Sequence, residues 1–257
     1  MSAFRRHRHA RRDAIRGLLG LLLVVVLVAG IVWWRGVPEP ADPGVDTSMP
    51  MTFQPTVAFV GDSYTGGSSM GGVGADGFPQ VVCRELDCHP ILFAVGGSGW
   101  WRKSKERITF GDMLDDICKA LPQVVFVAGG ANDADGPPAV VDDGMEQFFD
   151  KLEKCLPADT EFAITSPFWR DAPIPEVERL ADELEAQAEE RGWDYKYIST
   201  LFAGVEHSYI GEDLTHPDDA GHRYIAENLV PFLAPLIPEP MTLTEIRERE
   251  ESVSRRG

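Results

Sequence analysis

The stretch that decides the fold is TVAFVGDSY, residues 56–64, in which a continuous apolar run passes directly into a glycine, an acid and a serine. A short apolar run of this kind is typical of a strand buried on both faces of a parallel sheet. Four further runs of strand character follow, at residues 91–95, 124–128, 162–165 and, more weakly, 195–198. The first strand of such a sheet is therefore predicted at residues 56–60.

Helical patterns alternate with these strand-like runs. They lie near residues 77–86, 110–120, 139–155 and 175–191, and a last helix is predicted from about 217 to 233. Strands that alternate with helices favour a parallel sheet covered by helices on both faces. The expected fold class is therefore α/β, a three-layer α/β/α sandwich around a five-stranded parallel sheet.

Glycine-rich and polar segments follow three of the predicted strands. They read GDSY at 61–64, GGSG at 96–99 and GGAND at 129–133, and a fourth segment, DLTHP at 213–217, precedes the last helix. In open α/β sheets, ligands bind beyond the carboxyl ends of the strands. The first three segments should meet at that edge, and the fourth can reach it, so the four are expected to form one site.

A serine, a histidine and an acid in these segments have the chemistry of nucleophilic catalysis. The Ser63 hydroxyl needs a base before it can attack a carbonyl carbon. His216 can be that base, because imidazoles change charge near neutral pH. Asp213, three residues earlier, can hold the second ring nitrogen and fix the tautomer. His207 is the weaker alternative base, because no acid lies three residues before it.

The same segments offer donors for a developing oxyanion. Gly97 can bring a backbone N–H close to a substrate because it has no side chain. Asn132 can offer a side-chain amide, and the N–H of Ser63 at the predicted strand-to-helix turn can supply a third donor. Gly96 stays open as an alternative to Gly97.

The four segments together resemble the blocks of the SGNH hydrolases, also called GDSL-type esterases and lipases. GDSY resembles the nucleophile block, Gly97 falls at the oxyanion glycine, GAND at 130–133 matches the GxND block, and DLTH at 213–216 matches the DxxH block. The resemblance implies a flavodoxin-like sandwich and a serine ester hydrolase that uses no metal and no cofactor. Two departures are a tyrosine, Tyr64, where the motif's name has leucine, and the lack of an asparagine upstream in the second block.

Other readings of these residues remain open. With a sugar hydroxyl in place of water, the same site would be an acyltransferase on envelope glycans. A non-catalytic binding domain could retain the blocks, although no member of the predicted triad is missing. A metal phosphoesterase could use the acids and His216, but the chain lacks the clustered histidines that such sites usually need.

Large aromatic residues follow two strands at the predicted site edge. The pairs are Trp100–Trp101 and Phe168–Trp169. Aromatic rings stack on sugars and hold acyl chains, but they also cover cores. Trp100, Trp101 and Trp169 are therefore candidate substrate contacts.

The N-terminus predicts export of the domain. Residues 17–34 form an uncharged apolar run of 18 residues, about the length that spans a bilayer, and six arginines precede it. We expect a cytoplasmic basic arm (1–16), a transmembrane signal anchor (17–34), a linker (35–54), the hydrolase domain (55–237) and a charged tail (238–257), a loose helix or disordered. The expected location is the cell membrane, single-pass with the catalytic domain outside, or secreted if residues 17–34 are a cleaved signal peptide.

The charge of the exported part limits its partners. Residues 37–257 hold 17 basic and 40 acidic residues, a net charge of −23. A surface this acidic repels phosphate backbones, so nucleic acid is excluded as a partner. The expected partners are an ester substrate (a small molecule, lipid or glycan) and the membrane through the N-terminal helix.

Four cysteines lie in the predicted exported part, where disulfides persist. Of the three possible pairings, Cys83–Cys88 with Cys118–Cys155 is favoured. Cys83 and Cys88 flank the turn from the first helix into the second strand. Cys118 and Cys155 each end a helix just before a strand, at the same edge of the sheet.

Overall fold

The structure is a computed structural model that describes residues 51–255. The predicted basic arm, the predicted anchor and most of the predicted linker lie outside the described residues. Between residues 51 and 255, no helix has both the length and the apolar character needed to cross a membrane.

Seven strands and seven helices make up the described chain. In chain order the strands are β1 (Thr52–Phe53), β2 (Thr56–Gly61), β3 (His89–Ala94), β4 (Val124–Ala128), β5 (Glu161–Thr165), β6 (Asp194–Lys196) and β7 (Met241–Thr242). The helices are α1 (Ser63–Gly66), α2 (Phe78–Leu86), α3 (Leu114–Ala120), α4 (Pro138–Cys155), α5 (Pro175–Arg191), α6 (Asp219–Leu233) and α7 (Leu243–Ser254).

The central sheet is parallel and five-stranded, in the order β3-β2-β4-β5-β6. With its strands numbered along the chain, this order is 2-1-3-4-5, which is the flavodoxin-like arrangement. The direction of winding reverses between β2 and β4. Ligand sites of such sheets lie outside the carboxyl ends of the strands at this reversal, which here are the ends that lead into Asp62 and Gly129.

Alternate residues of the strands face two separate hydrophobic layers. Val57 and Phe59 of β2 pack with α2 and α6, whereas Ala58 and Val60 pack with α3, α4 and α5. β4 divides its side chains in the same way, and all five of its residues are buried. The predicted three-layer α/β/α sandwich is therefore confirmed.

The ends of some elements differ from the sequence prediction. The helix predicted from residue 110 begins with a 3₁₀ turn at Gly111–Met113 before α3. The predicted last helix starts at Asp219, since the Asp218 side chain caps it by accepting from the Gly221 N–H at 2.8 Å. The weak strand predicted at 195–198 is the three-residue β6, one residue earlier in the chain.

The described compact unit extends beyond the boundaries predicted at residues 55 and 237. The compact unit begins at Met51 and includes the tail. β1, predicted as linker, pairs antiparallel with β7. α7 follows β7 with a capping box between Thr242 and Glu245, so the disordered alternative for the tail is wrong.

Both predicted disulfides are confirmed. Cys83 bonds to Cys88, with Cα atoms 4.5 Å apart, and Cys118 bonds to Cys155, with Cα atoms 5.7 Å apart. The first bond joins α2 to the start of β3. The second joins the ends of α3 and α4 on one face of the sheet.

Candidate active site

Ser63 lies where β2 turns into the short helix α1. The turn is tight: a side chain at Gly61 would place its Cβ 2.2 Å from the Ala128 carbonyl oxygen, so glycine is required there. Asp62 caps α1, and its Oδ1 accepts from the Tyr64 N–H at 3.0 Å. The sequence GDSY thus fixes Ser63 at the carboxyl end of β2.

His216 and Asp213 meet Ser63 from the loop before α6. The Nε2 atom of His216 lies 2.9 Å from Ser63 Oγ, and its Nδ1 atom lies 2.6 Å from Asp213 Oδ2. His207 is exposed in a 3₁₀ turn of the same loop region. The predicted base and acid are therefore within hydrogen-bonding distance of each other and of Ser63.

Asp213 is held as a carboxylate by the turn it begins. Its Oδ1 accepts from the N–H groups of Thr215 and His216, each at 2.9 Å. These backbone hydrogen bonds, with the bond from the His216 ring, lower the pKa of Asp213 to about 2. An ionised Asp213 orients the ring so that Nδ1 carries its proton and Nε2 is free to accept one from Ser63.

Tyr64 connects the serine turn to the histidine loop. Its hydroxyl donates to the carbonyl oxygen of Thr215, the residue before His216. The tyrosine is buried and its ring stacks on Phe168, with centroids 5.7 Å apart. Burial raises the pKa of Tyr64 well above its usual range, so the phenol keeps its proton and stays a donor.

The predicted oxyanion residues lie around Ser63. A Cβ built on Gly96 would lie 3.6 Å from Ser63 Cβ. Gly97 follows with φ of +79°, a conformation that favours glycine, and among the described residues its N–H has no acceptor. The Nδ2 atom of Asn132 is 2.9 Å from the Ser98 carbonyl oxygen and 3.3 Å from Asp62 Oδ2.

The acids near Ser63 differ in their surroundings. Burial raises the pKa of Asp62 to about 6, against the lowering effect of the Tyr64 N–H. Asp133 is fully buried, and its carboxylate accepts three backbone N–H groups from residues 100–102. A side chain at Gly99 would collide with that carboxylate, with Cβ 2.2 Å from Oδ2. Asp133 therefore holds the second block against the third, as a structural acid.

A cavity of about 210 Å³ opens at Ser63. Asn132, Trp169 and His216 are among its lining residues. A larger cavity of about 440 Å³ lies at the other end of the sheet, between Phe53 and Arg249. The smaller cavity is lined by the predicted nucleophile and the predicted base, so it is the candidate active site.

A model of the GDSL-like lipase/acylhydrolase family matches residues 59–224. The chain is a member of this family. It is therefore an ester hydrolase of the SGNH type, which confirms the resemblance read from the four blocks. The matched range contains all four blocks, from Gly61 to His216.

Relatives of this family member are similar over most of their length. The GDSL lipase Rv0518 of Mycobacterium tuberculosis (strain ATCC 25618 / H37Rv) is 27% identical over 231 residues, which cover 84% of this chain and 95% of the lipase. The lipase/acylhydrolase from Enterococcus faecalis has the same fold, with a TM-score of 0.58 at 14% identity over 73% of this chain and all of that one. A carbohydrate acetylesterase family member from Sinorhizobium meliloti gives 0.54 at 19% identity, over 71% of this chain and 98% of that one.

Of the aromatic residues predicted to contact substrate, the structure contradicts one. Trp100 is 5% exposed and packs edge-on against three phenylalanines of the core, Phe110, Phe148 and Phe149. The prediction for Trp100 is therefore wrong. Of the two adjacent tryptophans, only Trp101 points outward, with 38% of its surface exposed. Trp169 lines the cavity beside Ser63.

Two features of this family member were missed by the sequence analysis. One is the hydrogen bond from Tyr64 to the loop of His216. It could have been inferred from the tyrosine that replaces the leucine of the motif, since a buried tyrosine needs a partner for its hydroxyl. The other is Arg170, which lines the cavity next to Trp169. Its signal was a basic residue directly after an aromatic pair at the site edge.

Proposed function

We propose that the chain hydrolyses esters of short acyl groups, with Ser63 as the nucleophile, His216 as the general base and Asp213 as the acid that orients it. The observation that carries this proposal is the line of contacts from Ser63 Oγ to His216 Nε2 and from His216 Nδ1 to Asp213 Oδ2, at 2.9 and 2.6 Å. The contacts lie at the mouth of a cavity that can admit a small ester.

The reaction proceeds in two steps with balanced proton transfers. Ser63 Oγ attacks the carbonyl carbon while its proton passes to His216 Nε2, and that proton then leaves with the alcohol as the ester C–O bond breaks. Water next attacks the acyl-serine, again giving its proton to His216. The acid is released when the Ser63 oxygen takes that proton back.

The oxyanion of each step is bound by the N–H groups of Ser63 and Gly97 and by the amide of Asn132. Among residues 51–255 the N–H of Gly97 has no acceptor, which supports this assignment. Asn132 has two amide hydrogens, and its contact with Asp62 is the longer one, at 3.3 Å. A small rotation of the side chain that gives up this longer contact frees one N–H of Asn132 for the oxyanion.

The size of the cavity favours a short acyl group. At about 210 Å³ it is smaller than the 300–1,000 Å³ of common ligand pockets. Acetyl esters of glycans fit this limit, and the similarity to a carbohydrate acetylesterase family member supports that class. Short-chain lipid esters are the second proposed class of substrate, because the chain is also similar to a GDSL lipase.

The proposed location is outside the membrane. Residues 17–34 are the anchor in this proposal, and six arginines before them keep the N-terminus inside. The two disulfides support an oxidising compartment. Mass spectrometry of the N-terminus from the membrane and secreted fractions tests this: an intact N-terminus in the membrane supports the anchor, and a new N-terminus beyond residue 17 contradicts it.

The activity is tested on the purified full-length chain in detergent. Acetate, butyrate and octanoate esters of 4-nitrophenol, acetylated sugars and 4-nitrophenyl phosphate are each assayed with and without EDTA. We expect acetate and butyrate to be cleaved fastest and EDTA to have no effect. EDTA-sensitive cleavage of the phosphate without acetate cleavage would overturn the proposal. Transfer of the acetyl group to an added sugar in preference to water would make the chain an acyltransferase.

A further inference from the structure

A cationic side chain lines the candidate active site without an acidic partner. Arg170 borders the same cavity as Ser63 and His216. Its guanidinium carbon lies 4.6 Å from the centre of the Trp169 ring, so the aromatic face orients the cation. Among residues 51–255, no acidic side chain lies within ion-pair distance of Arg170, whereas Arg179 and Arg249 each have an acidic partner.

Among the described residues Arg223 and Arg247 are also exposed without an ion pair, but Arg170 is the arginine that lines the cavity at Ser63. Acidic residues number 41 and basic residues 24, so acidic partners are abundant over the sequence as a whole. The chain as a whole repels anions, which leaves Arg170 as a local attraction for an anion that has reached the cavity.

The chemistry of a guanidinium determines what it selects. Its N–H groups form a planar fork that matches carboxylate and phosphate oxygens, and stacking on an aromatic ring leaves the edges of the fork free. We propose that the natural ester carries a carboxylate or phosphate near the ester bond and that Arg170 binds this group. The inference rests on the proposed function, because it concerns the substrate of the Ser63 site.

The anionic group can belong to the acyl half or to the alcohol half of the ester. Two matched pairs of substrates distinguish these two positions of the anionic group. The acyl pair is 4-nitrophenyl hemisuccinate and 4-nitrophenyl butyrate. The alcohol pair is 4-acetoxybenzoate and its methyl ester. Each rate is corrected by the rate with Ser63→Ala, which removes the intrinsic hydrolysis of each ester.

The full-length chain is compared with Arg170→Gln and Arg170→Lys. The control is Arg223→Gln, which removes another exposed arginine, on α6 and outside the cavity lining. We expect Arg170→Gln to lower kcat/KM about tenfold for the anionic member of one pair and less than twofold for its neutral partner. Arg170→Lys keeps the charge without the fork and should lose less than Arg170→Gln. Arg223→Gln should change none of the rates.

The rates distinguish a failure of the proposed role of Arg170 from a failure of the proposed esterase activity. Equal losses on anionic and neutral esters, or no loss on either anionic ester, would overturn the role of Arg170 and leave the esterase proposal standing. A wild-type chain that cleaves none of the four esters would overturn the proposed function, and the inference with it.

Discussion

At the scale of single residues, the site depends on one side chain that the family motif does not supply. Tyr64 places its ring against Phe168 and its hydroxyl on the Thr215 carbonyl. A leucine at this position could pack but could not donate. The hydrogen bond thus ties the loop of Asp213 and His216 to the turn of Ser63.

Tyr64→Phe removes this bond and keeps the ring. One buried hydrogen bond contributes about 0.5–1.5 kcal/mol, so we expect kcat to fall about two- to tenfold with little change in KM. Steady-state kinetics on 4-nitrophenyl acetate measure the effect. Tyr209→Phe is the matched control, since its hydroxyl bonds to no group among the described residues and its ring stacks on Tyr224. Unchanged kcat in Tyr64→Phe would show that the loop holds its position without the tie.

Asn132 is the residue whose assigned role is most open to a direct test. Loss of one oxyanion donor lowers turnover by about 10²–10³ in other hydrolases, and we expect this loss for Asn132→Ala. Asn228→Ala, on α6, removes an amide that bonds to its own helix at the Tyr224 carbonyl and should leave turnover unchanged. Wild-type turnover in Asn132→Ala would remove this residue from the oxyanion hole.

At the scale of elements, the C-terminal helix α7 is joined to the domain by a polar anchor. Arg249 is buried and donates to the carbonyl oxygens of Leu121 and Pro122 and to the Thr160 hydroxyl. These acceptors lie just before β4 and β5, at the amino ends of the strands. The helix is therefore held to the edge of the sheet opposite Ser63.

Removal of this anchor should weaken the domain without touching the site. Arg249→Ala leaves buried carbonyl groups unpaired, and we expect the free energy of unfolding to fall by about 2–3 kcal/mol. Arg247→Ala, on the same helix and exposed, should change it by less than about 0.5 kcal/mol. Urea unfolding followed by circular dichroism measures both. Equal values for the two variants would contradict the anchoring role.

The same elements show what the sequence can predict. Buried strands such as β2 and β4 are continuous apolar runs, so their places and their shared edge were predictable, and with them the meeting of Ser63 and His216. α7 lacks an apolar stripe and is held by Arg249, whose partners are backbone carbonyls that leave no pattern in the sequence. Trp100 was misassigned because its position after a strand does not reveal which way its side chain turns.

At the scale of the whole molecule, stability against acid includes a contribution from one buried histidine. His222 has no exposed surface, and its Nδ1 accepts from the Phe78 N–H at 3.4 Å. Burial lowers the pKa of His222 from 6.5 to about 4. Between these two values the unfolded chain binds a proton at His222 and the folded chain does not. The free energy of unfolding is therefore unaffected by this group above pH 6.5 and decreases as the pH falls towards 4. Asp62, with a raised pKa, acts in the opposite direction.

A variant isolates the histidine from the other groups. His222→Asn keeps an acceptor for Phe78 and removes the titration. We expect the wild type to lose about 2 kcal/mol more of its free energy of unfolding than the variant does when the pH is lowered from 7 to 5. Urea unfolding at the two pH values gives this difference. The same value at both would contradict the buried neutral state of His222.

Ser63 and the first described residues lie at opposite ends of the sheet strands. Ser63, His216 and the cavity lie beyond the carboxyl ends of the strands. The described chain enters through β1, which pairs with β7 ahead of α7.

If Ser63 is the nucleophile, it reacts covalently with a fluorophosphonate, which modifies activated serines. The full-length chain is treated with a fluorophosphonate, digested and mapped by mass spectrometry, beside Ser63→Ala, His216→Ala and the neighbouring control Ser69→Ala. We expect one adduct, on Ser63, with parallel loss of esterase activity. Ser69→Ala should behave as wild type, and His216→Ala should be labelled slowly. Ser63→Ala should neither be labelled nor cleave the ester. An adduct on another residue with activity lost, or wild-type activity in Ser63→Ala, would contradict the assignment of Ser63 as the nucleophile.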